Sequence, residues 1–108
     1  MKDNNLILKQ ILQFIDKIES YLDNISHDEF LLDAKTQDAV IRNIEIIGEA
    51  CNRLGQDFIQ SNPEFPILEA TSMRNRLIHG YDDVDIEIVW VTATKDIQTL
   101  KAIILQLI

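Results

Sequence analysis

Between positions 74 and 81 the chain reads Arg74-Asn75-Arg76-Leu77-Ile78-His79-Gly80-Tyr81. Two arginines, an asparagine, a histidine and a tyrosine thus fall within eight residues. Histidine is the side chain that takes and gives protons near neutral pH. Arginine presents a planar fork of donors that matches phosphate oxygens, and it can stabilise charge that builds up in a transition state. The set suits phosphodiester chemistry. Cleavage of RNA by its own 2′-OH needs a base, an acid and such a cation, and no metal. A plainer account is open as well. A histidine just before a glycine at a helix C-terminus is favoured there as a cation, and an arginine on a helix commonly pairs with a carboxylate.

Helical geometry constrains how these residues could act together. At about 100° per residue, Asn75 and His79 share a face, whereas Arg74 and His79 lie about 140° apart. Arg74 and His79 would therefore meet only on a ligand lying across the helix end, or across a boundary between subunits.

The surrounding pattern predicts the elements that hold this run. Leu8, Ile11, Ile15, Ile18 and Leu22 recur at helical spacing, which predicts a helix over about 4–24. Asn24, Ile25 and Ser26 read as a stop and a new N-cap, followed by a short turn of helix from Asp28 to Leu32. Val40, Ile44, Ile47, Cys51, Leu54 and Phe58 predict one long helix over Asp33 to Phe58. Gly48 inside it suggests close packing of another helix, since glycine there costs about 1 kcal/mol against alanine. Pro63 and Pro66 break the pattern. A fourth helix is predicted over Pro66 to Ile78, ending at His79-Gly80. Asp85 is a suitable N-cap, with Glu87 in the first turn, for a last helix over about 86–107. The expectation is an all-α fold: a single domain over 1–108, an up-and-down bundle of four to five helices.

Composition narrows the class. Three Gly and two Pro in 108 residues are too few for the turns of an all-β fold. The one cysteine, Cys51, allows no intramolecular disulfide and fits a reducing compartment. There is no signal-like apolar core at the N-terminus and no run of transmembrane length, so a cytoplasmic protein with no membrane role is expected. A formal net charge of −8 counts against indiscriminate nucleic-acid binding. It leaves room for a local basic cleft on an acidic body.

The pattern Arg74-x-x-x-x-His79-x-Tyr81 resembles the signature of HepT-like toxins in the HEPN (higher eukaryotes and prokaryotes nucleotide-binding) superfamily. Two more segments match in order. Thr36-Gln37-Asp38-Ala39-Val40-Ile41-Arg42-Asn43-Ile44-Glu45-Ile46-Ile47-Gly48-Glu49-Ala50 resembles the family's central helix, and Val84-Asp85-Ile86-Glu87-Ile88-Val89-Trp90 the start of its last one. The resemblance implies a HEPN-like helical homodimer acting as a metal-independent endoribonuclease. It would be the toxin of a type II/VII-like toxin–antitoxin pair. Its implied partners are an RNA substrate and a cognate minimal nucleotidyltransferase antitoxin, which silences the toxin by adding AMP to the motif tyrosine, here Tyr81. By position Arg74 and His79 match the catalytic pair, with Asn75 and Arg76 in support. No cofactor is implied. A dimer would also answer a chemical shortage, because His27 is the chain's only other histidine and belongs to a different segment. A two-fold axis beside the helix end would bring in a second Arg74 and a second His79.

Other residues carry weaker signals. Arg42, Glu45, Glu49, Asn52 and Gln56 form a polar stripe opposite the long helix's apolar face. Arg42 with Glu45, and Glu49 with Arg53, are spaced for helical ion pairs. The stripe reads either as a solvated face or as a surface that steadies an active-site arginine or meets the partner. Cys51 and Trp90 read as core. No His, Cys and carboxylate set has metal-ligand spacing. Ser72 lacks a nucleophile elbow, and no glycine loop cradles phosphate. The competing function is a non-enzymatic HEPN module that binds nucleotide or docks the nucleotidyltransferase.

Overall fold

The computed structural model describes residues 3–66 and 84–108. Helix α1 (Asn4–Leu22) starts where the Asp3 carboxylate accepts the Leu6 N–H at 3.1 Å. Its buried face is the predicted stripe, Leu8, Ile11, Ile15 and Ile18. The chain leaves through Asp23, and Asn24 takes a left-handed conformation at φ 62°, which asparagine tolerates better than most side chains.

Helix α2 (His27–Leu31) is only five residues long and depends on its cap. The Ser26 hydroxyl accepts the Glu29 N–H at 3.1 Å, and the Glu29 carboxylate accepts the Ser26 N–H at 3.0 Å. This reciprocal capping box satisfies two amides that the helix start would otherwise leave open. Phe30 carries the helix's apolar side chain into the core. Helix α3 (Ala34–Asn52) opens on Asp33, whose carboxylate accepts from the Thr36 N–H at 3.1 Å and the Thr36 hydroxyl at 2.6 Å.

The single helix predicted over Asp33 to Phe58 is divided. Helix α3 ends at Asn52, and α4 (Gln56–Ser61) starts anew after Gly55. Gly55 is extended, at φ −75° and ψ 159°, and its N–H donates to the Asn4 side-chain oxygen at 3.0 Å. That bond takes one amide out of the helical ladder, at the residue with the poorest helix propensity after proline. The apolar stripe survives the break because Leu54 and Phe58 are both buried.

On the far side of positions 67–83, the Asp85 carboxylate caps α5 (Ile86–Val91) by accepting the N–H groups of Glu87 and Ile88. The helix widens into a π turn over Thr92–Asp96 and continues as α6 (Ile97–Leu107). The sequence explains the π turn. Val89, Ala93 and Ile97 are successive four-residue steps, and each such step drifts about 40° around an α-helix. A turn closed by an i to i+5 bond, here Ile97 N–H to Thr92 O, takes up that drift.

Helices α1 and α3 share the most extensive contact. They run antiparallel, since the Asn4–Gly55 bond joins the start of one to the far end of the other. Helix α2 bridges α3 and α5, while α6 lies against α1, where Lys101 reaches both oxygens of Glu19 at 3.0 and 2.9 Å. Among the described residues there is no strand, and the architecture is an all-α, HEPN-like bundle. Among the described residues, no helix is long and apolar enough to cross a membrane. The predicted helix over Pro66 to Ile78 lies outside the described residues except for Pro66.

Candidate functional site

The sequence-predicted site residues Arg74, Asn75, Arg76, His79 and Tyr81 lie outside the described residues. What the structure shows is the frame on either side of them. On the upstream side, Phe65 is buried and meets Phe58 edge to face, with ring centroids 5.2 Å apart. The Asn62 amide donates to the Phe58 carbonyl at 3.0 Å, and the Phe65 N–H donates to the Asn62 carbonyl at 3.0 Å. The two phenyl rings and these bonds fix the chain as it leaves α4.

The downstream side is fixed by three interlocking contacts. Asp85 caps α5. One residue into the helix, Glu87 pairs with His27 Nε2 at 2.7 Å, across 60 positions of sequence. The His27 ring also lies 5.2 Å from the Trp90 ring, which lies 5.2 Å from Phe30. A row of three rings therefore ties α2 to α5. Trp90 is half-buried against the core, in keeping with the sequence reading. The role of His27 was not legible locally, because its partners come from a helix at the other end of the chain.

A second polar surface lies on the α1–α3 pair. The i, i+3 pair Arg42–Glu45 forms at 3.6 Å. The spaced pair Glu49 and Arg53 does not close to an ion pair among the described residues. Arg42, Ile46, Glu49 and Arg53 instead line one wall of a groove of about 470 Å³, with Gln10, Gln13 and Phe14 of α1 on the other. Lys17 lies over the Phe14 ring, 5.4 Å from its centroid. In the core beneath, burial pushes the Cys51 thiol up to about 12, so at neutral pH it is an uncharged apolar side chain and no nucleophile. Among the described residues, no cluster of three or more His, Cys, Asp or Glu side chains is placed to hold a metal.

Comparison with known proteins connects this frame to a family. The family model described as "Ribonuclease HepT-like" matches residues 11–107, a span that encloses the whole run from Arg74 to Tyr81. A protein of Thermococcus cleftensis named "Probable ribonuclease HepT" is 45% identical over 94 residues, covering 87% of this chain and 86% of that one. A protein of Methanocaldococcus jannaschii whose name proposes an RNase is 42% identical over 89 residues, covering 82% of this chain and 74% of its own length. One of Caldanaerobacter subterraneus, also with a name that proposes an RNase, is 35% identical over 101 residues, covering 94% and 90%. No solved structure matches. Matched along nearly its whole length in this way, the chain belongs to the ribonuclease HepT-like family.

Proposed function

We propose that the chain is a metal-independent endoribonuclease and the toxin of a toxin–antitoxin pair. The observation that carries this is the span of the family match, which runs across residues 11–107 and so includes both Arg74 and His79. In the reaction, a 2′-OH attacks the adjacent phosphate. His79 takes its proton and a second histidine-borne proton goes to the departing 5′-oxygen, leaving a cyclic phosphate and a free 5′-OH. Arg74 steadies the anionic phosphorane. Asn75 and Arg76 support them. The protein works as a homodimer, with His79 of the second protomer providing the other acid or base.

The cognate partner is a minimal nucleotidyltransferase that adds AMP to Tyr81. Tyr81 follows His79 by two positions in the sequence, and the added bulk and negative charge repel RNA. Purified protein treated with a chelator should still cut RNA and leave cyclic-phosphate ends, and His79→Ala should abolish cutting while the helical content is kept. Full activity in His79→Ala would refute the mechanism. Co-expression with the nucleotidyltransferase should raise the intact mass by whole AMP units, and Tyr81→Phe should prevent the gain. The net charge of −8 favours a second reading, a non-enzymatic module that docks the nucleotidyltransferase. That reading predicts no RNA cleavage under any of these conditions.

A further inference from the structure

The chain has four arginines, two in the run from Arg74 to Arg76 and two elsewhere, Arg42 and Arg53. Both of the latter line the same groove between α1 and α3. On a chain of net charge −8, that convergence needs a reason. The α3 wall is a single helical stripe, Arg42, Ile46, Glu49 and Arg53, at steps of four, three and four. The α1 wall is Gln10, Gln13 and Phe14, and Lys17 adds a third cation over the phenyl ring. Glu45 holds the Arg42 guanidinium at 3.6 Å without enclosing it, since the Arg42 side chain remains 65% exposed.

We propose that this groove binds the substrate strand: single-stranded RNA lies along it, with phosphates on Arg42 and Arg53 and a further contact at Lys17. This rests on the ribonuclease reading above. Arginine forks match phosphate oxygens, and a positively charged groove with amide and aromatic groups is how single strands are tracked. Length argues for a strand rather than a lone nucleotide. Eleven residues of α-helix separate Arg42 from Arg53, about 16 Å along the axis at 1.5 Å per residue. That is several times the rise of about 3.4 Å per nucleotide in a stacked strand. Glu49, between the arginines, repels a phosphate at mid-groove and accepts from exocyclic amino groups such as that of cytosine. Phosphates are therefore held at the two ends of the stripe and a base edge at its centre.

The test is fluorescence anisotropy with a labelled twelve-nucleotide 2′-O-methyl RNA, which cannot be cut by attack of its own 2′-oxygen. Affinity is measured over a salt series for the full chain and for R42Q/R53Q. The double variant should bind about tenfold or more weakly at low salt. Its salt slope should shrink by about 1.4, at about 0.7 for each phosphate that an arginine no longer neutralises. R42K/R53K should keep most of the slope. An unchanged slope and affinity in R42Q/R53Q would overturn the inference. So would a change in oligomeric size with no change in slope, which would make the groove a contact between copies or with the partner. Displacement of the strand by equimolar uridine monophosphate would also overturn it, in favour of a mononucleotide site. RNA cutting is followed in parallel with an unmodified strand. Groove-dependent binding without any cutting would count against the ribonuclease reading alone, and cutting without groove dependence would count against this inference alone.

Discussion

The Cys51 thiol, pushed up to about 12 by burial, stays protonated in the folded chain far above neutral pH. Two consequences can be measured. Iodoacetamide should label Cys51 slowly in native protein and rapidly in urea, read as added mass. In alkali, the unfolded chain releases this proton before the folded one does. The stability held by the neutral thiol is thus complete below about 9, its ordinary value, and is lost as pH rises towards about 12. Cys51→Ala should flatten that part of the melting-temperature profile. Among the described residues Phe30 is the largest fully buried side chain, and Phe30→Ala should cost about 3–5 kcal/mol by chemical denaturation, since it also strips the Trp90 ring of its neighbour. At this scale the sequence was partly transparent. Cys51 and Trp90 could be placed by periodicity, because burial repeats with the helix. The grip of Glu87 on His27 could not, because nothing in the spacing of two residues 60 apart reports their contact.

Among the elements, the short α2 and the start of α3 rely on carboxylate caps that acid removes. Hydrogen bonding to Ser26, first its backbone and then its side chain, holds Glu29 below its ordinary value. Asp33 is likewise lowered, by the Thr36 hydroxyl first and the Thr36 amide next. A lowered carboxylate stabilises the fold above its ordinary pKa and loses that effect as pH falls through the lowered value. Melting temperature should therefore fall below about pH 4, and Thr36→Val should lessen the part due to Asp33. Ser26→Ala at neutral pH should cost about 1 kcal/mol, the usual worth of such a cap. The Ser26 cap was readable, and the Asp33 cap could have been, because a capping box and an Asp three residues before its donor partner are local patterns. The break at Gly55 was not, because Cys51, Leu54 and Phe58 keep their spacing across it, and its cause is a side chain on α1. Nor could spacing decide which stripe pairs form: Arg42 meets Glu45, while Arg53 faces the groove.

For the molecule as a whole, both ends of the run between 66 and 84 are tied into the core, by Phe65 against Phe58 and by Asp85, Glu87 and Trp90 against α2. If the active unit is the proposed dimer, specific nuclease activity should fall on dilution along with the dimer fraction measured by mass photometry. Constant activity in a strictly monomeric sample would refute the shared site. The helical class and the α1–α3 stripes were legible because amphipathic periodicity determines both, whereas assembly depends on surfaces that periodicity does not describe. The π turn at Thr92–Asp96 bears on how such a chain can change length over time. It holds one residue more than a regular turn would need, and Lys95 within it is exposed. Deleting Lys95 should straighten the helix, with Leu100 and Ile104 still facing α1, and leave a folded protein. The same deletion at Glu49 would rotate everything after it on α3 by about 100°. Insertions and deletions between related chains should accordingly gather at this turn and be absent from the middle of α3.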